Sequence, residues 1–278
     1  MKRILLVSLA LFMLSGLVWA GFNLYRSVAS SGEPPVISFE SDSISLPISA
    51  KDTDMLAGVH ATDAEDGDIS GDVFIESLSR MNADGSVTVT YVVFDGDKNA
   101  AKAKRKLFYS DYTQPVFRLE APLIGTVSNI SELAGIMKAD DCIDGDISDV
   151  VKVTYLDRLT TTVGTYPVEF RVTNSLGDTV YLETELECAP AGFNNAGITL
   201  TDYLIYLDEG AAFDPLSYVE GYTADGTRIS GAGGLTVTSG VNTSVPGVYT
   251  VTYTYEIPGS SSHTKLIAVV GGGKEASE

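Results

Sequence analysis

Alternation of apolar and polar residues predicts β-strands in three separate parts of the chain. The apolar positions of the three strands are Val87, Val89, Tyr91 and Val93, then Tyr166, Val168, Phe170 and Val172, then Tyr249, Val251, Tyr253 and Tyr255. A period of two indicates a strand with one buried face in an antiparallel sheet. Each strand is followed by a turn containing Gly or Asn and by a closing strand, around residues 103–109, 180–186 and 264–270. Since no sustained helical periodicity follows residue 27, the pattern predicts an all-β chain.

A repeated acidic turn divides the same stretch into copies. Asp66-Gly67-Asp68-Ile69-Ser70 returns unchanged at Asp144 to Ser148, 78 positions later, and a degenerate version begins at Asp225. Repetition at this period indicates an array of small domains, each about 80 residues long. The predicted domains are 34–110, 114–189 and 196–270, which we call the first, second and third repeats. The tail, 271–278, is predicted to be disordered.

Each repeat also contains a predicted single helical turn between its first strand and its acidic turn. The turns begin at Asp54, Ser131 and Asp214, and we expect Leu56, Leu133 and Leu216 to point into the cores. Asp and Ser are common N-caps, and Pro215 stands where a first helical residue tolerates proline. Short strands joined by turns, without long helices, predict a β-sandwich in each repeat.

The first 27 residues have the composition of a targeting segment. Lys2 and Arg3 precede an almost uninterrupted apolar run from Ile4 to Tyr25. Twenty-two helical residues would extend roughly 33 Å, enough to cross a bilayer as an uncleaved signal anchor. The small residues around Ala20 also permit cleavage as a signal peptide. Both alternatives export the remainder, either as a single-pass membrane protein with extracellular domains or as a secreted protein.

The exported part is strongly acidic. The net charge is −19, but Lys2, Arg3 and Arg26 all lie in the first 27 residues, which contain no acid. The remainder therefore carries 37 acidic and 15 basic residues, a net charge of −22. Such a surface repels nucleic acid and attracts divalent cations or basic partners. Nucleic-acid binding is excluded as a function class.

Two cysteines, Cys142 and Cys188, both fall in the exported part. An oxidising compartment permits a disulfide between them, which would stabilise the second repeat by roughly 4 kcal/mol in the chain-entropy model. The alternative is a pair of buried free thiols. No histidine lies near either cysteine in the sequence, which argues against a metal or catalytic role.

The order of these motifs resembles that of the bacterial surface-protein immunoglobulin-like repeat, which also occurs in pesticidal crystal proteins. The stretch Ala61 to Ser70 matches its acidic motif closely, and Pro246 to Tyr253 matches its late strand. The copies together cover about residues 34–270. In the third repeat Tyr222 replaces the leading aspartate, so that match is weaker. The resemblance implies immunoglobulin-like β-sandwich domains of the kind used as modules on exported bacterial proteins, and it supplies no enzymatic activity. With the N-terminal segment, the expected fold is all-β: three tandem immunoglobulin-like β-sandwich domains behind an N-terminal hydrophobic helix.

The aspartates of the acidic turns are the candidate ligand set. They are Asp63, Asp66 and Asp68 in the first repeat and Asp141, Asp144 and Asp146 in the second. Three carboxylates within six residues suit a hard cation such as Ca²⁺. Alternatively, Asp-Gly is a strong turn dipeptide whose carboxylates accept backbone N–H bonds and shape the loop. The spacing lacks the full ligand ladder of an EF-hand, which favours the second interpretation.

Basic residues cluster in one place, at Lys98, Lys102, Lys104, Arg105 and Lys106. The cluster either docks an acidic polymer or domain, or protects an exposed edge strand from pairing with other chains. The two histidines, His60 and His263, lie in different repeats, and no motif assembles a catalytic triad or a zinc site. No catalytic residue is therefore predicted.

These features together predict a non-enzymatic, exported bacterial surface protein: a membrane-tethered rod of immunoglobulin-like domains that serves as an adhesion, spacer or scaffold module. Its partners would be the cell membrane, through the N-terminal helix, and a surface protein or glycan that the sequence does not identify. The alternative is a secreted, calcium-dependent carbohydrate- or protein-binding module. No other cofactor is expected.

Overall fold

The computed structural model describes residues 11–22, 24, 32–125, 135–156, 162–189, 197–224, 227–229, 234–257 and 260–271. The chain divides into two compact units, Met1–Ser110 and Asp111–Glu278. The predicted all-β sandwich class is confirmed, since strands in six sheets make up the folded part. The division into three domains stays a prediction, because the second unit contains the sheets of both the second and the third repeat.

The first unit is built from two sheets. Its strands are β1 (Val36–Phe39), β2 (Ser43–Leu46), β3 (Val59–Asp63), β4 (Gly67–Asp68), β5 (Phe74–Met81), β6 (Val87–Phe94) and β7 (Ala100–Tyr109). One sheet has the order β1-β3-β4 and the other β2-β7-β6-β5. All pairs are antiparallel except β2 with β7. The predicted inward positions of β6 are confirmed, since Val87, Val89, Tyr91 and Val93 are each 0% exposed.

The second unit begins with the sheets of the second repeat. Its strands are β8 (Val116–Leu119), β9 (Met137–Asp141), β10 (Gly145–Asp146), β11 (Lys152–Leu156), β12 (Gly164–Thr173) and β13 (Thr179–Cys188). The sheets have the orders β10-β9-β8 and β11-β12-β13, and all pairs are antiparallel. Val168, Phe170 and Val172 of β12 are buried as predicted, whereas Tyr166 is partly buried.

The sheets of the third repeat complete the second unit. Its strands are β14 (Ile198–Leu200), β15 (Leu204–Leu207), β16 (Val219–Ala224), β17 (Thr227–Ile229), β18 (Leu235–Ser239), β19 (Gly247–Ile257) and β20 (Ser260–Val270). The orders are β14-β16-β17 and β15-β20-β19-β18, with β15 parallel to β20. Val251, Tyr253 and Tyr255 of β19 are buried as predicted, and Tyr249 is partly buried.

Two of the three predicted helical turns are described, and both differ from the prediction. In the first repeat the turn is Asp52–Met55, with Lys51 as N-cap and the Asp54 carboxylate accepting the Lys51 N–H at 2.9 Å. Met55 is buried there, whereas Leu56 only packs against the edge of the core. In the third repeat the predicted helical turn is present as a 3₁₀ turn, Pro215–Tyr218.

The third-repeat turn confirms one expectation and corrects another. Asp214 is its N-cap, accepting the Leu216 N–H at 3.0 Å, and Pro215 follows as predicted. Leu216, however, is 56% exposed, so the prediction that it points into the core is wrong. Phe213, before the turn, and Tyr218, at its end, pack against the core here instead. The matching turn around Leu133 lies outside the described residues.

The N-terminal segment is described only in part. Residues 11–22 and 24 are helical, while 1–10, 23 and 25–27 lie outside the described residues. In the stretches that the structure describes, no helix combines the length and hydropathy needed to cross a bilayer. Residues 272–278 of the predicted disordered tail also lie outside the described residues.

Candidate functional site

The acidic turn of the first repeat is held by bonds from its carboxylates to the backbone. Asp63 Oδ1 accepts the N–H groups of Glu65 and Asp66 at 2.8 and 2.9 Å. Asp68 Oδ1 accepts the Ser70 N–H at 3.0 Å and the Ser70 hydroxyl at 2.6 Å. The Asp66 bond lowers the pKa of Asp63, and the Ser70 hydroxyl lowers the pKa of Asp68, because each donor favours the ionised carboxylate.

Asp66 has a different role, because it reaches a distant turn. Its Oδ2 accepts the Gly96 N–H at 2.6 Å, which ties the acidic turn to the hairpin between β6 and β7. A Cβ added at Gly96 would lie 3.0 Å from the same carboxylate oxygen, so the two turns are in close contact. The Asp66 side chain therefore stabilises the relative position of two loops.

The second repeat reproduces this arrangement residue by residue. Asp141 Oδ1 accepts the N–H groups of Ile143 and Asp144, both at 2.9 Å, and Asp144 Oδ2 accepts the Ser175 N–H at 2.6 Å. Asp146 Oδ1 accepts both the N–H and the hydroxyl of Ser148. The Ser148 hydroxyl lowers the pKa of Asp146, as Ser70 does for Asp68. Sequence identity in the two turns thus corresponds to identical local bonding.

This bonding supports the loop-shaping interpretation of the acidic turns. All six candidate aspartates lie in the described residues, and among those residues no group of three or more His, Cys, Asp or Glu is placed to hold a metal ion. Each carboxylate is directed to a neighbouring N–H or hydroxyl. Calcium binding remains a hypothesis from the sequence. In the third repeat, Asp225 and Gly226 lie outside the described residues.

The second repeat has a polar network that the sequence did not predict. Asp141 is only 7% exposed, and its Oδ2 accepts the Asn174 side-chain N–H at 3.1 Å. Asn174 also donates to the Tyr112 hydroxyl at 2.9 Å, and that hydroxyl donates to Asp178 at 2.6 Å. Burial, followed by the Asp178 bond, raises the pKa of Tyr112 far above its usual value. The network fixes the start of the second repeat to its acidic turn.

The two cysteines are free thiols in this structure. Cys142 is exposed and Cys188 is buried, so of the two sequence interpretations the structure shows the unbridged one. Cys142 lies at the end of β9, where its thiol donates to the Thr113 carbonyl at 3.0 Å and accepts from the Thr113 N–H at 3.4 Å. Cys188 packs in the apolar core of the second repeat. The expectation that both free thiols would be buried is wrong for Cys142.

Apart from Lys98, which lies in the preceding turn, the basic cluster lies on β7 and separates into two kinds of residue. Lys102 and Lys106 are exposed and pair with Glu76 and Asp84 respectively. Among the described strands, β7 is paired on both sides only at Lys106 and Leu107, where β2 and β6 both lie beside it. The lysines before that point therefore lie on a one-sided stretch, as the edge interpretation predicts. Arg105 is instead 5% exposed, and its Nη1 donates to the Ala57 carbonyl at 2.6 Å.

The second and third repeats share one apolar core. Leu204, Ile267 and Val269 of the third repeat belong to the same buried cluster as Phe117, Leu186 and other residues of the second. The sequence contained a signal for this contact, because Leu266 to Val270 is an uninterrupted apolar run. Such a run indicates a strand that is buried on both faces.

Polar contacts surround this shared core. Glu187 of β13 contacts Lys265 Nζ at 2.6 Å and His263 Nε2 at 2.7 Å, and all three side chains are largely buried. Burial opposes ionisation of Glu187, but the Lys265 bond and charge outweigh it, and the net effect lowers the pKa of Glu187. Nearby, the Phe117 N–H donates to the Tyr206 hydroxyl at 3.0 Å, and burial raises the pKa of Tyr206 to about 12. The two repeats are therefore joined by a specific interface.

Comparison with known proteins shows no family. No family model matches the chain, and no curated protein matches it. Solved structures with similar β-sandwich domains include CBM51-2 in complex with GlcNAc and INT domains from Clostridium perfringens ZmpB, at 19% identity and a TM-score of 0.23, over 53% of this chain and 26% of that one. Another is human CDH23 EC21-23, at 11% identity and a TM-score of 0.20, over 85% of this chain and 100% of that one.

A third similar structure is the extracellular domain of protocadherin GammaB4, at 14% identity and a TM-score of 0.19, over 87% of this chain and 50% of that one. The chain spans only about a quarter to a third of the two ZmpB structures that it matches, 26% and 30% of their length. The class defined by fold and site is an all-β protein of sandwich modules. At these TM-scores the similarity carries no inference about function.

Proposed function

We propose that this chain is a non-enzymatic, exported bacterial surface protein whose sandwich modules provide an adhesion, spacer or scaffold function. The observation that carries the proposal is the joint between the second and third repeats, with its shared apolar core and its Glu187–Lys265 pair. Two sandwiches joined by an apolar core and charged contacts transmit force and keep a fixed spacing. A flexible linker would do neither.

The exposure of the N-terminal helix supports a membrane tether. Leu11, Phe12, Trp19 and Phe22 of the N-terminal helix are 61, 76, 71 and 62% exposed, and a helix that is apolar on all sides requires a non-aqueous environment. Both histidines contact glutamates, His60 with Glu40 and His263 with Glu187. The histidine beside Glu187 thus takes part in the joint between repeats.

Fractionation of the native host tests export and tethering together. Protease added to intact cells should digest the repeats, and mass spectrometry of the membrane fraction should recover peptides from residues 1–20. Recovery of a chain that begins after Ala20 in the medium would support the secreted alternative. Protection of the repeats in intact cells, with release into the soluble fraction on lysis, would refute the proposal.

The secreted alternative requires calcium-dependent binding, which a second experiment addresses. Thermal melts of the protein in EDTA and then in excess Ca²⁺ should coincide, because the aspartates of the acidic turns already accept backbone bonds. A ligand that binds only the folded state raises the melting temperature, and the rise grows with the logarithm of ligand concentration above the dissociation constant. A clear increase with Ca²⁺, absent with Mg²⁺, would favour the calcium-dependent module.

A further inference from the structure

A cleft opens beside the joint of the second and third repeats. Its volume is about 590 Å³, within the size range of ligand sites, which is roughly 300–1,000 Å³. The floor is the outer face of β12 and β13, with Pro167, Glu169, Glu183 and Glu185, and Val248 of β19 lies on the opposite side. Both sides belong to the second compact unit, so the joint described above fixes the shape of the cleft.

The charge of the residues that line this cleft is negative. Of the described residues that line it, none is Lys, Arg or His. Glu169 and Glu183 stand directly opposite each other in the β12–β13 register, and like charges in that position destabilise a sheet. The ion pairs among the described residues include neither of them, nor Glu185. The cleft thus attracts a cationic ligand.

The remaining lining side chains suit a cation on an apolar stem. Tyr155 is 52% exposed and Val248 is 40% exposed, and Pro167 stands opposite Glu185 in the β12–β13 register. Lysine and arginine place their methylene stems on apolar surface while their charged ends stay hydrated or contact an aromatic face. A bare metal ion would use none of these surfaces. The carboxylates also do not form a metal-binding group among the described residues.

The spacing of the carboxylates indicates the form of the ligand. Glu183 and Glu185 are alternate residues on one face of β13, so they are separated by about 7 Å along the strand. Alternate side chains of an extended peptide have the same separation. We propose that this cleft binds an extended peptide segment of a partner protein that carries lysine or arginine at alternate positions. The inference rests on the proposed adhesion or scaffold function and specifies its partner chemistry.

The test uses the full chain in a neutral detergent and a defined probe. The probe is the capped, fluorescent heptapeptide Lys-Thr-Lys-Pro-Lys-Thr-Lys, with a glutamate-for-lysine version as its negative control, followed by anisotropy. The triple variant Glu169→Gln, Glu183→Gln, Glu185→Gln should bind about tenfold more weakly than the unmodified chain, since close charge pairs dominate such contacts. The charge-matched control is Asp149→Asn, Asp202→Asn, Glu209→Gln, whose residues are exposed and outside the cleft. This control variant should bind the peptide less than about twofold more weakly than the unmodified chain, as expected for rim charges.

Additional measurements keep the inference falsifiable. Tyr155→Ala, which leaves the net charge unchanged, should weaken binding about threefold through lost cation–π contact. Hydrogen exchange on the unmodified chain should show peptide-dependent protection in β12, in β13 and around Val248. Equal losses of peptide affinity in the two triple variants, or spermidine binding as tightly as the peptide, would mean that general charge attraction explains the binding and would overturn the inference. Failure of the unmodified chain to bind the peptide would also overturn it. If the protein is exported but fails these binding tests, only the peptide-binding proposal is refuted. If it passes them but is cytosolic, only the proposed function is refuted.

Discussion

At the scale of single residues, the two acidic turns show the function of a carboxylate in a tight loop. The leading aspartate closes the turn on itself, the middle one reaches the next hairpin, and the last one fixes a serine. Neutral side chains of the same size would accept fewer or weaker bonds, because a charged acceptor strengthens a hydrogen bond. The repeated motif is therefore explained by loop geometry.

The contact from Asp66 to Gly96 gives a first test. Asp66→Ala removes the only side-chain link described between those two backbone positions and should lower the free energy of unfolding of the first unit by about 1 kcal/mol. Asp97→Ala, an exposed acid in the same hairpin, is the matched control and should change stability by less than about 0.5 kcal/mol. Urea denaturation measures both. Equal effects of the two variants would show that net charge, rather than this bond, stabilises the turn.

Lys98 provides a second residue-level test. It has a φ of 71°, and it is the one residue other than glycine with positive φ in the part of the chain that the structure describes. The matching position of the second repeat is Gly177, with a φ of 81° and the same turn hydrogen bond. Because a left-handed conformation costs a non-glycine residue about 1 kcal/mol, Lys98→Gly should stabilise the first unit by roughly 0.5–1 kcal/mol.

The matched control for Lys98 is the reverse change in the second repeat. Gly177→Ala should destabilise the protein by a similar amount, since alanine incurs the strain that glycine avoids. Chemical denaturation of both variants checks the pair. A Lys98→Gly variant that is less stable than the parent would mean that the lysine side chain contributes more than its backbone strain costs.

At the scale of elements, sequence periodicity predicted the strands with one buried face and missed others, among them β2 and β15. The alternation in β6, β12 and β19 identified their inward residues, because four apolar positions at period two leave little ambiguity. β2 and β15 were not predicted, since four residues such as Ser43–Leu46 carry too little pattern. Their parallel pairing with β7 and β20 depends on tertiary contacts between distant parts of each repeat.

Arg105 shows where composition misleads at this scale. The sequence placed it with the surrounding lysines, but alternation along β7 turns it inward, where its guanidinium lies 5.9 Å from the centre of the Phe39 ring. Arg105→Ala should destabilise the first unit by about 2 kcal/mol, because it removes a charged hydrogen bond to the Ala57 carbonyl in a buried site. Lys104→Ala, its exposed neighbour, should be nearly neutral. Similar small losses of stability in both variants would show that the buried hydrogen bond of Arg105 does not stabilise the first unit.

At the scale of the whole chain, the sequence predicted the repeats but not the residues that join two of them. Periodicity identifies each repeat separately, whereas an interface depends on outward-facing residues of two repeats at once. The apolar run Leu266 to Val270 is a weak signal for the joint, and His263, a partner of Glu187, lies 76 positions later in the chain. The aspartates were recognised because they recur, while Glu187, Lys265 and Tyr206 occur once and had no pattern to identify them.

The joint should respond to pH with a defined sign. The pKa of Glu187 in the folded protein lies below its ordinary value of 4.5, so its contribution is fully present above that value and is lost as the pH falls through the lowered pKa. Glu187→Gln should therefore cost about 1–3 kcal/mol near neutral pH, because it leaves Lys265 without its largely buried partner. The cost should shrink between neutral pH and an acid pH below 4.5, as the pH falls through the lowered pKa and the native carboxyl becomes protonated as well.

Denaturation of the second unit at both pH values measures this difference. Glu185→Gln, two residues away on the same face of β13, is the matched control and should show no such loss at neutral pH, since no ion pair among the described residues includes it. A cost for Glu187→Gln that stays constant from neutral to acid pH would mean that shape, rather than charge, joins the two repeats. The shared apolar core would then be the sole basis of the fixed spacing on which the proposed function depends.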